Sequence, residues 1–103
     1  MKKTFFAIVK RTEAWDPARE AHEQDGFAQH AAYMGKLEQD GVIASAGLLQ
    51  ESSDIVFVML ADSEEQVRAR FAEDPWQQDG HAKLIRLEEV QFRIGAPQGA
   101  TAD

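Results

Sequence analysis

The chain has 103 residues, of which 44% are hydrophobic and 28% charged, the composition of one small globular domain. Its formal net charge of -7 argues against binding to nucleic acid or to anionic lipid, because both need a basic surface. The absence of cysteine excludes disulfides, thiolate catalysis and cysteine-bound metal sites. No apolar stretch approaches the ~20 residues of a membrane span, so we expect no membrane contact and a cytoplasmic location.

The N-terminal half predicts a strand followed by a long, interrupted helix. Residues 5–9 are apolar at every position, which is typical of a short buried strand. The Asp-Pro pair at residues 16–17 favours a helix N-cap and first turn, so we expect a helix from there to about residue 40, with a kink or break at Gly26. Gly41 is placed to end it. Apolar residues recur at helical spacing after the break, at Phe27, Ala31, Met34 and Leu37.

The middle of the chain predicts a hairpin and a second helix. Two apolar segments, residues 42–49 and 55–60, are joined by a short polar turn, which favours an antiparallel hairpin. Ser63, with acidic residues directly after it, is typical of a helix N-cap, and we expect a helix over residues 64–73. The residues predicted to face inward on it are Val67 and Phe71.

The C-terminal part predicts one more strand and a tail. Over residues 83–94 the apolar positions change phase between Leu87 and Val90, which indicates a bulge or a bend. Residues 95–103 are small and polar, and we expect them to be disordered. The folded part is therefore predicted to be a single domain over residues 1–94.

The order β-α-β-β-α-β predicts an α+β, ferredoxin-like fold, in which two helices cover one face of a four-stranded antiparallel sheet. The strands at residues 5–9 and 55–60 are apolar on both faces, so a monomer would leave one face in water. A twofold homodimer with the two sheets packed face to face would cover it. The alternative is a ligand or a different protein on that face.

His30 is the histidine best placed for chemistry. On a helical wheel it lies between Phe27 and Met34, where an imidazole can enter a cleft between helix and sheet. The partner we predict is Asp74, because a carboxylate that orients an imidazole is a minimal acid–base device. The alternatives are a structural histidine at the edge of the core, an Asp74 that only stops a helix, and a Trp76 that only fills the core.

The other candidate residues carry weaker signals. His22 and His81 are predicted to be solvated, and no histidine spacing on one helix indicates a metal site, so we expect no metal and no cofactor. Arg11 either meets an anionic ligand or is a surface charge. The residues predicted to line the pocket are Ser45, Gly47 and Trp76.

Taken in order, these segments resemble the YciI-like (YCII-related) family of dimeric α+β-barrel proteins, over residues 5–92. The segments that carry the resemblance are His30 with its spaced apolar residues up to Gly41, the Ala46-Gly47 pair, and Asp74-Pro75-Trp76 followed by Gly80. The resemblance implies a pocket in each protomer where His30 and Asp74 form a catalytic pair. Similar folds support muconolactone-type isomerisation and the elimination of chloride from chlorinated hydroxyquinols.

We therefore expect a cofactor-free lyase or isomerase that acts on a small cyclic or enolisable metabolite. His30 would be the general acid or base, and Asp74 would hold its tautomer. A second hypothesis is a non-catalytic small-molecule-binding or accessory module that uses the same pocket. A third hypothesis is a haem-binding or monooxygenase relative of similar fold, which no sequence motif supports.

Overall fold

A computed structural model describes residues 2–100 of the protein. The four strands are β1 (Lys3–Arg11), β2 (Ile43–Leu48), β3 (Ile55–Ala61) and β4 (Ala82–Glu89). The three α-helices are α1 (Phe27–Gln39), α2 (Glu64–Ala72) and the short α3 (Pro75–Asp79), and a 3₁₀ turn covers Ala21–Glu23.

The strands form one sheet in the order β2-β3-β1-β4, with every neighbouring pair antiparallel. Strand β1 is central, and its Ala7 pairs with Phe57 on one side and with Leu87 on the other. This confirms the predicted fold class, α+β and ferredoxin-like with a four-stranded antiparallel sheet.

The core lies between the helices and one face of the sheet, called here the inner face. Strand β1 turns Phe5, Ala7 and Val9 towards it, because alternate residues of a strand share a face. Helix α1 contributes Leu37, and α2 contributes the pair predicted to face inward, Val67 and Phe71. Burial of each large apolar side chain stabilises the fold by about 1.5–3 kcal/mol.

The outer face of the sheet carries Phe6 and Ile8 on β1 and Val56 and Val58 on β3, all partly exposed. At one end of this face Gly99 lies beside Leu60, and Lys2 forms an isolated bridge with Ala100. Residues 101–103 of the predicted tail lie outside the described residues. Within residues 2–100, no helix combines the length and the apolar character that crossing a bilayer requires.

The helix predicted to begin at residue 17 is wrong, because residues 12–26 form a loop with one 3₁₀ turn. Asp16 Oδ1 accepts a hydrogen bond from the Ala18 N–H, which closes a local turn in place of a helix. The Gln24 side chain then bonds the Asp16 N–H and C=O and the Arg19 C=O. Helix α1 begins only after Gly26, whose φ of 78° lies in the left-handed region.

The end of β4 also differs from the prediction. The strand stops at Glu89, and its irregularity lies at Ile85, not between residues 87 and 90. Val9 pairs with Leu84 while Ile8 pairs with Arg86, so Ile85 is the extra residue. The phase change in the sequence instead marks the end of the strand.

Candidate active site

Asp74 is positioned by the start of α3. Pro75 follows it at the first helical position, and Asp74 itself is extended, with φ of -68° and ψ of 124°. As the N-cap residue, it accepts a hydrogen bond through Oδ1 from the Trp76 N–H at 3.1 Å. The side chain is thereby fixed at the chain corner between α2 and α3.

The same oxygen of Asp74 meets His30, which lies in the first turns of α1. His30 Nδ1 is 2.7 Å from Asp74 Oδ1, although the two residues are 44 positions apart. The Asp74 side chain is 4% exposed and the His30 side chain 18% exposed. The carboxylate is therefore enclosed, while the imidazole is the partner that a small molecule can reach.

The hydrogen bond leaves one edge of the imidazole free. Within residues 2–100, His30 Nε2 has no hydrogen-bond partner. An ionised carboxylate only accepts hydrogen bonds, so Nδ1 carries the proton when Asp74 is ionised and Nε2 then has a free lone pair. This is the tautomer that a general base requires.

Trp76 fixes the plane of the imidazole. Its indole stacks on His30 with ring centroids 3.9 Å apart and planes 13° apart. The indole N–H donates to the Asp25 carbonyl at 2.9 Å, and Trp15 packs edge-on against the same ring at 5.2 Å. The sequence predicted Trp76 only as a residue of the pocket wall. In the structure it also contacts the His30 ring directly.

A second link joins α1 to the end of α2. The Tyr33 hydroxyl donates to the Arg70 carbonyl at 2.6 Å and lies 3.3 Å from Glu73 Oε2. Burial, reinforced by the negative charge of Glu73, raises the pKa of Tyr33 to about 12. Because Tyr33 is three residues after His30, this bond holds the helix that carries the imidazole next to the segment that carries Asp74.

The His30–Asp74 pair lies in the wall of a cavity of about 350 Å³, a size suited to a small ligand. Its lining is mostly apolar and includes Trp15, Phe27, Ile55, Phe57 and Trp76. The charged or titratable groups among its lining residues are Arg11, His30 and Asp74. Such a site has room to bury a small apolar molecule and offers a few groups for chemistry.

The structure separates the two residues of β2 that the sequence placed in this pocket. Gly47 lines the cavity, and a side chain built there would meet no other described atom within 4 Å. Ser45 instead lines an adjacent cleft of about 520 Å³ that runs along α1 and shares His30 with the cavity. Ser45 pairs with Val58 and Gly47 pairs with Val56, so the two residues have the same strand parity and differ in their position along β2.

Sequence reasoning missed Trp15 as a pocket residue, because it lies in the loop between β1 and α1, where no local pattern predicts its position. It was also wrong about His81, which is buried, whereas His22 is exposed as expected. His81 contacts Asp79 and packs near the Trp76 ring, after Gly80 reverses the chain with a φ of 89°. No group of three side chains suited to hold a metal ion occurs within the described part of the chain.

Comparison with known proteins gives a similarity of fold. The chain matches no protein-family profile and no curated protein sequence. Its structure is similar to that of 5-chloro-2-hydroxyhydroquinone dehydrochlorinase from Burkholderia phenoliruptrix, solved in complex with 2,5-dihydroxybenzoquinone. The TM-score is 0.57, the sequence identity is 19%, and the match covers 88% of this chain and 95% of the other. The shared feature is the fold.

Proposed function

We propose that the protein is a cofactor-free lyase or isomerase of the YciI-like type that acts on a small cyclic or enolisable metabolite. His30 is the general base and acid, and Asp74 orients it. The observation that carries the proposal is the 2.7 Å contact between His30 Nδ1 and Asp74 Oδ1 in the wall of an apolar cavity. The ligand and activity named for the dehydrochlorinase are consistent with a small ring as substrate.

In this mechanism His30 Nε2 takes a proton from an acidic C–H or O–H of the bound molecule. The imidazolium that forms is stabilised by the Asp74 carboxylate. In an isomerisation the proton returns to a different carbon; in an elimination the electron pair of the broken bond expels a leaving group as its anion. Proton transfer of this kind contributes about 10²–10⁴-fold, and the apolar cavity contributes by positioning the substrate.

The proposal includes a homodimer in the cytoplasm. The apolar residues on the outer face of the sheet, Phe6, Ile8, Val56 and Val58, are partly exposed in the single chain. Packing of two such faces would remove them from water. Light scattering on wild type should give the mass of two chains, and Ile8→Glu should give one. Ile94→Glu is the matched control, because Ile94 is 90% exposed and belongs to no strand.

The catalytic part is tested by chloride release from 5-chloro-2-hydroxyhydroquinone and by deuterium exchange into a panel of small cyclic ketones and enol lactones. Wild type should be active on at least one compound, and His30→Asn should lose about 10²–10⁴-fold of that activity. Equal rates for the two proteins would refute the role of His30. Binding of several compounds without turnover of any would favour the non-catalytic binding module.

A further inference from the structure

We propose that Arg11 is the anion-binding residue of this pocket, and that the ligand is a flat ring bearing a negatively charged oxygen, either a carboxylate or an ionised enol or phenol. This inference rests on the proposed function, because it names the substrate class of the same site. It assigns a role to Arg11, for which the sequence left open both an anionic ligand and a surface charge.

Arg11 reaches the pocket from the end of β1. It pairs with Ala82 of β4 and has the same strand parity as Val9, which faces the core. Both Val9 and Arg11 line the cavity that contains His30. The guanidinium is therefore the permanent positive charge in the lining of a predominantly apolar cavity.

The guanidinium is not neutralised by the protein. Within residues 2–100, Arg11 contacts no carboxylate, and its Nε is buried without a hydrogen-bond partner. Three other arginines of the chain each contact an acidic side chain: Arg19, Arg68 and Arg86. The chain has 18 acidic residues against 11 basic ones, so an unpaired arginine is not due to a shortage of carboxylates. A buried N–H without a partner is costly, and an anionic ligand would satisfy it.

Trp15 holds the guanidinium in place. The Arg11 Cζ lies over the Trp15 ring, 4.1 Å from its centroid, which is a cation–π contact. Trp15 packs against Trp76, and Trp76 stacks on His30. The cation and the proposed base are thus fixed on one aromatic cluster, which offers a flat apolar surface to a ring.

Charge balance also favours this assignment. The Asp74 carboxylate lines the same cavity, and in a low-dielectric site it would repel an anionic ligand. Arg11 supplies the opposite charge that makes such a ligand acceptable. It would also stabilise the negative charge that develops on a ring oxygen when His30 removes a proton.

The test compares benzoate with benzamide, which have the same ring and differ in charge. Binding is titrated by tryptophan emission, since both tryptophans of the chain, Trp15 and Trp76, line the cavity. Wild type should bind benzoate at least about 10-fold more tightly than benzamide. Arg11→Gln should weaken benzoate binding about 10- to 100-fold and abolish this preference, while leaving benzamide binding nearly unchanged.

Lys10→Gln is the matched control. It removes the same charge one residue earlier in β1, from the exposed opposite face, where Lys10 pairs with Lys83. It should change benzoate affinity by no more than about 2-fold, because an exposed charge is screened. Arg11→Lys keeps the charge without the planar fork and should recover only part of the affinity. Urea unfolding of each variant verifies that it is folded.

Three results would overturn the assignment: no measurable benzoate binding by folded wild type, equal affinity for the two compounds, or equal losses in Arg11→Gln and Lys10→Gln. The outcome is separable from that of the proposed function. Anion preference without turnover would remove the enzyme and keep Arg11 as the binding residue. Turnover with no anion preference would keep the enzyme and remove Arg11 from substrate recognition.

Discussion

The protein contains two histidine–aspartate contacts of almost the same length, and they differ in nearly everything else. His30 Nδ1 lies 2.7 Å from Asp74 Oδ1, and His81 Nδ1 lies 2.8 Å from Asp79 Oδ1. Both imidazoles pack near the ring of Trp76, His30 at 3.9 Å and His81 at 5.9 Å. Distance alone therefore does not identify a catalytic pair.

What separates the two contacts is which partner is enclosed. In the first, the carboxylate is 4% exposed and the imidazole lines the cavity. In the second, the carboxylate is 39% exposed, and the imidazole, at 11%, is turned inward and is not among the residues that line the cavity. The first pair joins residues that are 44 positions apart in the sequence, whereas the residues of the second pair are 2 positions apart. A base must be accessible to its substrate, and of these two histidines it is His30 that lines the cavity.

The largest expected difference between the two pairs is in activity. With a compound that wild type turns over, His30→Asn should reduce kcat/KM about 10²–10⁴-fold, because it removes the group that transfers the proton. His81→Asn should leave kcat/KM within about 2-fold once both proteins are shown to be folded, since His81 does not reach the cavity. Steady-state kinetics on the two variants measures this difference, and similar losses in both would contradict a catalytic role that His30 has and His81 lacks.

The next difference is in stability. Asp74→Ala should lower the free energy of unfolding by about 2–4 kcal/mol, because it removes the enclosed carboxylate that caps α3 and accepts the hydrogen bond of His30 Nδ1. Asp79→Ala should cost about 1 kcal/mol or less, since water can replace its partly exposed carboxylate. Urea denaturation measures both.

Asp74→Asn separates the two roles of Asp74. Its side-chain oxygen can still accept from the Trp76 and His30 N–H groups, so the stability loss should be about 1 kcal/mol. Its activity should nevertheless fall, because a neutral amide does not stabilise an imidazolium. An Asn variant as active as wild type would show that the charge of Asp74 has no part in the reaction.

The smallest effect concerns the link that supports the long-range pair. Burial raises the pKa of Tyr33 to about 12, above its ordinary value of 10.0, so the folded state holds this proton more tightly than the unfolded state. The resulting stability is complete below pH 10 and is lost as the pH rises towards 12. Tyr33→Phe should remove this pH-dependent part and lower stability by about 1 kcal/mol near neutrality. Urea unfolding of wild type and Tyr33→Phe between pH 8 and 11.5 measures this difference in pH dependence. The same pH dependence in both proteins would contradict the prediction.

The elements that could be predicted from sequence are those governed by local patterns. The apolar runs predicted the four strands, and Ser63 predicted the start of α2. Gly26, where a kink or break was expected, directly precedes α1. The loop before α1 could not be predicted, because it depends on the Gln24 side chain bonding the backbone of Asp16 and Arg19. No rule based on residue spacing predicts these side-chain contacts.

The candidate site also has some features that local sequence patterns predict and others that depend on tertiary packing. His30 and Asp74 were singled out by their places on a helix and at a corner, and the structure puts them in contact. The stack of Trp76 on His30 and the burial of His81 depend on tertiary packing, as does the contact of Arg11 with Trp15. The position of His81 after Gly80, at the end of a loop, favoured a solvated side chain, but the Trp76 ring of α3 packs near it.

The oxygen Oδ1 of Asp74 links the thermal stability of α3 to the orientation of His30. Asp74 Oδ1 accepts from both the Trp76 N–H and the His30 ring, so the start of a five-residue helix and the alignment of the imidazole share one anchor. If that short helix frays on warming, the histidine loses its orientation while the sheet is still intact. We therefore expect warming to disturb the alignment of His30 before it unfolds the sheet.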